Sequence, residues 1–196
     1  MRARLILVLA FGFLFGAGPV PVHATSGTIE MEAGFAKSID DANGTGDTFG
    51  GGISFGGGFW YDASEMIAVG GEISYDDMGS VNYYNNYTVD NEASIHVLRV
   101  NPAIRINSAK REASSSFFFF QGGAGLYNAT AKVKDTFFDF ELQNTDAKFG
   151  IHGGLGASFG FGPKTRLVFT GLYHNVFLDG EALNYFHLRG GIGFLI

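Results

Sequence analysis

The chain has 196 residues, of which 30 are Gly, 21 are Phe and none is Cys, and its formal net charge is −6. The absence of Cys excludes a disulfide scaffold and any zinc or iron–sulfur site with Cys ligands. An acidic chain of this kind lacks the basic face that nucleic acid requires, and its length fits one folded domain.

The chain begins with the pattern of a secretory signal peptide. Arg2 and Arg4 precede an apolar run over residues 5–15, and Val22-His23-Ala24 supplies small residues for cleavage. This run is short for a membrane-spanning helix, and its flanks are those of a signal peptide. We expect residues 1–24 to be cleaved and residues 25–196 to form the mature domain. A retained signal anchor is the alternative.

After residue 24 the apolar residues recur at every second position, which indicates β-strands. In each of the first four strands, one face is apolar and the other is small, polar or charged. The apolar faces are Ile29, Met31, Ala33 and Phe35; Phe49, Ile53, Phe55, Phe59 and Tyr61; Ile67, Val69, Ile73 and Tyr75; and Leu98, Val100, Ile104 and Ile106. The opposite faces include Glu30, Glu32 and Gly34; Ser54, Gly56 and Gly58; Gly70, Glu72 and Ser74; and Arg99, Asn101 and Arg105.

Four further strands repeat this alternation. The phase of the fifth stays open because residues 117–120 are all Phe, and the seventh is weaker because Val168 and Leu172 fall on its polar face. The apolar faces are Phe118, Phe120, Ala124 and Leu126; Phe149, Ile151, Leu155, Ala157, Phe159 and Phe161; Leu167, Phe169 and Tyr173; and Phe186, Leu188, Ile192, Phe194 and Ile196. The polar faces of the sixth and eighth strands carry Lys148, His152 and Ser158, and Tyr185, His187 and Arg189.

The strand lengths and the connections favour a membrane barrel. Strands of roughly ten to fourteen residues exceed the usual five or six of soluble sheets and suit a tilted membrane crossing of about nine to eleven. Residues 39–47, 78–91, 132–146 and 178–183 form longer or more polar connections, whereas residues 62–65 and 161–164 form short ones, with 107–116 as an exception. Short periplasmic turns and long external loops are typical of transmembrane barrels. The sequence predicts an all-β, eight-stranded antiparallel up-and-down transmembrane β-barrel.

The polar faces are expected to line the lumen of this barrel. An eight-stranded barrel has an interior that side chains just fill, and the first and last strands are neighbours, so we expect Glu30 or Glu32 to pair with Arg189. Aromatic girdles are expected at the two membrane interfaces, at Phe59-Trp60-Tyr61, at Tyr75 with Tyr83, Tyr84 and Tyr87, and at Phe194. A soluble ligand-binding β-barrel or sandwich with an aromatic core is the alternative.

Two segments carry a family resemblance. Arg189-Gly190-Gly191-Ile192-Gly193-Phe194-Leu195-Ile196 resembles the C-terminal signal of outer-membrane barrels, which ends more often in Phe or Trp. Asn101-Pro102-Ala103-Ile104-Arg105-Ile106-Asn107 resembles the fourth strand of the small OmpX-like and OmpA-like barrels. The resemblance covers residues 28–196. It implies a Gram-negative outer membrane with the amino terminus periplasmic, contact with outer-membrane lipid and lipopolysaccharide, and help from periplasmic chaperones and the barrel-assembly machinery.

Few residues suggest chemistry. His152, His187 and His174 could cluster in the lumen, but no pair has the spacing of a helical zinc site. Tyr173-His174-Asn175-Val176 places a His in a late strand, as in a lipid A deacylase, but no Ser follows two residues later. We therefore predict no catalytic, cofactor-binding or metal-binding residues.

The remaining candidate sites are the external loops. Asp40, Asp41 and Asp47 make an acidic tip, and residues 82–87 are rich in Tyr and Asn, which suit adaptable contacts. We expect a non-enzymatic protein with an envelope-structural or adhesion-type surface role, a possible surface ligand at these loops, and no wide pore. The alternatives are a lipid A-modifying outer-membrane enzyme and the soluble ligand-binding barrel.

Overall fold

Eight strands make up the computed structural model, which describes residues 27–39, 50–85, 89–110, 115–135, 140–178 and 182–196, with side chains for all of these except 82–91, 135, 140–143 and 146. The predicted signal peptide lies outside the described residues. None of the described residues forms a helix long and apolar enough to cross a membrane. The strands are β1 (Gly27–Ser38), β2 (Gly52–Asp62), β3 (Ile67–Asn85), β4 (Val89–Asn107), β5 (Phe117–Asp135), β6 (Phe140–Gly160), β7 (Thr165–Phe177) and β8 (Ala182–Leu195).

The strands close into a single antiparallel barrel. Each strand pairs with the next along the chain, and β1 also pairs with β8. The Gly27 and Ile196 backbones exchange two hydrogen bonds, so both ends of the described chain meet at one end of the barrel, here called the terminal end. The opposite end is called the projecting end. The predicted fold, an eight-stranded antiparallel β-barrel, is confirmed.

As the alternation predicted, the apolar faces of the strands point outward and the polar faces point into the lumen. On β1, the Met31 side chain is 60% exposed on the outside, whereas Glu30 is 3% and Glu32 is 9% exposed. The open phase of β5 is resolved, with Phe118 outside and Phe119 inside. On β7, Val168 and Leu172 are buried in the lumen among its polar residues.

Glycine allows adjacent strands to approach closely around this narrow barrel. A Cβ on Gly34 would collide with the backbone carbonyl oxygen of Leu188 on β8, and one on Gly154 would collide with that of Gly171 on β7. These contacts are with backbone atoms, which cannot rotate away as a side chain can. Part of the glycine content therefore serves the tight curvature of the wall.

Four strands are longer than predicted. β3, β4 and β5 each have 19 residues and β6 has 21, so the predicted loops at residues 78–91 and 132–146 are largely strand. The polarity of the two faces inverts partway along these strands. On β4, the outward residues change from Leu98 to His96 and Ser94, while the inward residues change from Arg99 to Val97. A strand with polar residues on its outer face was therefore misread as loop.

A β-bulge in β3 reverses which of its residues point inward, so that apolar residues beyond the bulge face the lumen. The pairing of β3 with β4 shifts between Asp77 and Ser80, so one extra residue enters β3 and Val81 turns inward opposite Ala93. Gly79 provides the bulge with a φ of 75°, a backbone conformation that favours glycine. Its amide N–H donates to Asp77 Oδ1 at 2.7 Å.

Candidate functional site: apolar belt, filled lumen and projecting sheet

The outer wall of the barrel carries an apolar belt. On β4 the belt runs from Ile106 to Leu98, a length within the range of about nine to eleven residues that a tilted strand needs to cross a membrane. Exposed apolar patches on soluble monomers seldom exceed a few hundred Å². The exposed belt residues include Ile29, Phe35, Ile53, Phe55, Ile73, Val100, Ile104, Phe120, Phe149, Ile151, Leu155, Phe169, Leu188 and Ile192. A surface of this kind fits hydrocarbon and contradicts a soluble barrel.

The predicted aromatic girdles are correct for some residues and wrong for Trp60. Phe59 and Phe194 point outward near the terminal end, and the Tyr75 ring lies outside, 5.3 Å from the Phe55 ring. Trp60 is fully buried in the lumen because it follows Gly58 in the polar phase of β2. The side chains of Tyr83 and Tyr84, and all of Tyr87, lie outside the described residues.

Two buried arginines and their aromatic partners fill the lumen near the terminal end. Arg105 lies between Trp60 and Phe119, with its Cζ atom 3.7 Å and 4.3 Å from the two ring centroids. Arg166 lies over Phe117 at 4.6 Å and donates to Ser158 Oγ at 2.7 Å. These stacked cations are desolvated, a setting in which cation–π contacts are strong. They block this end of the lumen.

A layer of buried charges crosses the middle of the lumen. Arg105 Nη1 lies 2.7 Å from Glu30 Oε2, and Arg99 Nη1 lies 3.2 Å from Glu72 Oε2. Arg99 also reaches Asp76, with 3.3 Å between Nε and Oδ2. These pairs join β1 to β4 and β3 to β4, so the charges fasten strands across the lumen as well as side by side.

The expected pairing of Glu30 or Glu32 with Arg189 is wrong. Arg189 donates to Ser54 Oγ and to Asp76 Oδ1, across the lumen on β2 and β3. Glu32 accepts a hydrogen bond from Thr170 Oγ1 at 2.7 Å. Although β1 and β8 are neighbours as predicted, Arg189 lies opposite Gly34, and its long side chain extends into the lumen to Ser54 and Asp76.

His152, His174 and His187, which the sequence allowed to cluster in the lumen, lie close together there on the projecting side of the charge layer. His174 is fully buried, with Nδ1 3.0 Å from the Tyr127 hydroxyl and Nε2 3.0 Å from His187 Nδ1. His152 Nδ1 lies 3.2 Å from the side-chain amide of Asn101. In the described part of the chain, no three acidic or histidine side chains are placed to hold a metal ion. Because His174 faces the lumen, it cannot act on lipid at the outer wall.

An apolar cluster fills the lumen beyond the histidines. Met78, Val97, Val176 and Leu183 are buried there, with Tyr185 beside them. Half-buried side chains of β3–β5, among them Val81 and Ile95, extend this cluster toward the projecting end. Its packing leaves no room for a wide aqueous channel.

The ends of β3–β6 form a projecting sheet, defined as residues 80–85, 89–96, 130–135 and 140–145. The described backbone of β6 pairs with β7 only from Gly150 onward, and β3 pairs with β2 only as far as Asp76. Among the described residues, β6 has no second strand partner along residues 140–149, and β3 has none along residues 81–85. Of the predicted loop sites, Asp40, Asp41 and Asp47 lie outside the described residues, whereas residues 82–85 are strand.

Comparisons with known proteins identify the fold. No protein-family model and no curated protein matches the chain by sequence. Neisserial surface protein A (NspA) has a TM-score of 0.54 and 12% identity over 86% of this chain and 96% of its own. Ail, the attachment invasion locus protein of Yersinia pestis, was solved in complex with the heparin analogue sucrose octasulfate. It has a TM-score of 0.55 and 14% identity, and the match covers 87% of this chain and 99% of Ail.

The outer membrane protein OprG from Pseudomonas aeruginosa has a TM-score of 0.54 and 14% identity, and the match covers 91% of this chain and 99% of OprG. At these identities the likeness concerns the fold. The chain therefore has the fold of the small eight-stranded outer-membrane β-barrels, as the family resemblance of its sequence implied.

Proposed function

We propose that this chain, which has the fold of small outer-membrane barrels, is a non-enzymatic surface protein of a Gram-negative outer membrane. The observation that carries the proposal is an apolar belt around a filled lumen, with a sheet that continues beyond the belt with polar residues outside. The barrel acts as the membrane anchor. The projecting sheet acts as an external interaction surface.

The connections support one orientation of the barrel in the membrane. At the terminal end the connections at residues 63–66 and 161–164 are short, as periplasmic turns are. In the proposed orientation the amino terminus of the mature chain is periplasmic, and the projecting sheet lies outside the cell. The proposed partners are outer-membrane lipid and lipopolysaccharide around the belt, and periplasmic chaperones and the barrel-assembly machinery during insertion, with the last strand as the signal.

The projecting sheet supports a role in binding because, among the described residues, the outer edges of β6 at residues 140–149 and of β3 at residues 81–85 pair with no other strand. A long exposed strand edge pairs readily with an incoming strand. Outward residues of the sheet, such as Lys132 and Lys134 on β5, keep it soluble beyond the membrane. The proposed ligand contact thus lies on strands, whereas the loops were the candidates from sequence.

Fractionation and conductance test the membrane assignment. We expect to find the mature protein in the outer-membrane fraction. It is expected to migrate faster on a gel before boiling than after, and to give no wide-pore conductance in planar bilayers. The reason is that the belt needs hydrocarbon while the lumen is blocked by Arg105, Arg166 and the apolar cluster. Recovery in the soluble periplasmic fraction, or porin-like current steps, would contradict the assignment.

Shortened hairpins test the surface role. Replacing residues 82–92 and residues 132–143 each by Asn-Gly joins Val81 to Ala93 and Ala131 to Asn144, which are directly paired. Cells with this variant are expected to bind epithelial monolayers or matrix-coated surfaces several-fold less than wild-type cells. A control variant exchanges only residues 86–88 and 136–139 for Gly and Ser. Equal binding by wild-type and shortened barrels at equal surface abundance would refute the surface role.

A further inference from the structure

The charges of the central lumen do not balance. The carboxylates of Glu30, Glu72 and Asp76 have arginine partners among Arg99, Arg105 and Arg189. Glu32 is a fourth buried carboxyl group, and it forms no ion pair with any described residue. If all seven groups were ionised, this part of the lumen would carry one uncompensated negative charge.

The two oxygens of Glu32 have different surroundings. Oε2 accepts a hydrogen bond from Thr170 Oγ1 at 2.7 Å. Oε1 has no hydrogen-bond partner among the described residues, although the side chain is only 9% exposed. One oxygen thus behaves as a carbonyl acceptor. The other oxygen, Oε1, can carry a proton and donate it in a hydrogen bond.

A small cavity lies beside Glu32. Glu30, Glu32, Glu72, Arg189 and the glycines at 56–58 line it. A buried water needs a polar site of about its own size with two to four partners, and these side chains provide several. The guanidinium of Arg189 makes the cavity unfavourable for a metal cation.

We propose that Glu32 is a proton-binding site of the folded barrel, and that its Oε1 hydroxyl donates to one water in this cavity. An ionised carboxylate buried without a cation in direct contact carries a large desolvation cost, and protonation removes it. The proton makes the central layer neutral, with three carboxylates facing three arginines. The charged and titratable groups around Glu32 are Glu30 on β1, Glu72 on β3, Arg105 on β4 and Arg189 on β8. β2 lines the cavity with glycines, and β7 contributes Thr170.

The site couples the stability of the barrel to pH. A carboxyl group that binds its proton more tightly in the folded barrel than in the unfolded chain favours folding at low pH, and this preference is lost as the folded group deprotonates. Wild-type barrels are therefore expected to lose stability as the pH rises from 6.5 to 9. Glu32→Gln, which keeps the shape without the charge, is expected to remove that fall.

Urea unfolding in phospholipid vesicles, followed by Trp60 fluorescence, provides the test. At pH 6.5, Glu32→Gln is expected to unfold at a higher urea concentration than the wild type, because the wild-type side chain loses its proton on unfolding and the Gln side chain has none to lose. The matched control Glu30→Gln is expected to unfold at lower urea because it leaves Arg105 without its carboxylate. If Glu32→Gln is as unstable as Glu30→Gln at pH 6.5, or retains the wild-type pH dependence, the proposal is wrong.

Infrared spectroscopy on the wild-type barrel gives a second readout that does not depend on the variant folding. A carbonyl band of a protonated carboxyl group is expected at pH 6.5 and is expected to disappear at high pH. Its absence at pH 6.5 overturns the proposal. A stability that changes when sodium replaces a bulky organic cation at constant pH assigns the cavity to a metal cation and also overturns it.

Discussion

Replacing Asp76 by alanine is expected to destabilise the barrel by about 3–5 kcal/mol, the cost of leaving buried charges without their partner. Asp76 is fully buried and accepts hydrogen bonds from Arg99, Arg189 and Tyr185, and from Ser54 at 2.5 Å. Its removal leaves two guanidinium groups facing each other without this shared carboxylate. Equilibrium unfolding in vesicles measures the loss, with Trp60, the one Trp in the sequence, as the fluorescent reporter.

The control for this substitution is an exposed ion pair on the same barrel. Lys110 Nζ lies 2.5 Å from Glu65 Oε1, with both side chains more than half exposed. Exposed pairs of this kind contribute at most about 1 kcal/mol, so Glu65→Ala is expected to leave the unfolding midpoint nearly unchanged. If Asp76→Ala shifts the midpoint no more than Glu65→Ala, the lumen network does not stabilise the barrel.

The sequence contained enough information to assign the faces of the strands. Successive side chains of a strand point to opposite sides, so an exposed Met31 between Glu30 and Glu32 could be recognised from spacing alone. The same rule could not assign residues 117–120, because four successive Phe residues satisfy either phase. There the assignment needed Gln121, which lies in the lumen and hydrogen bonds to Arg105.

The partners inside the lumen could not be predicted from the sequence. Arginine side chains are long enough to cross an eight-stranded lumen, so strand adjacency does not determine which carboxylate they reach. Arg189 on β8 thus pairs with Asp76 on β3 although β1 lies next to it. Trp60 was misplaced for a related reason, since an aromatic residue near a strand end suits an interface girdle and also suits stacking on Arg105.

The strand lengths were missed because the solvent changes along the strands. Within the belt, the outer face meets hydrocarbon and is apolar; beyond it, the outer face meets water, and Ser94 and Lys132 replace the aliphatic residues. The inner face changes in the opposite direction, from Arg99 to Val97 and Ile95. Apolar and polar residues still alternate across the boundary, but the apolar residues move from the outer face to the inner face. A prediction that expects the same face to stay apolar therefore ends the strand too early.

An arginine placed in the belt is expected to be costly, and the same residue beyond the belt is not. Val100 is 44% exposed on the outer face of β4, between Leu98 and Ile104. Val100→Arg is expected to destabilise the folded barrel by about 2–4 kcal/mol, as arginine does on the lipid face near the midplane. The physical cause is the transfer of a charge from water into hydrocarbon.

Ser94→Arg is the matched control, because Ser94 lies on the same strand and the same face as Val100 but beyond the belt. Its expected cost is about 0–1 kcal/mol, the value for positions near the interface. Urea titrations of both variants in vesicles measure the difference. A soluble barrel would tolerate both arginines equally well in water, whereas a barrel held in a bilayer penalises only the one at Val100.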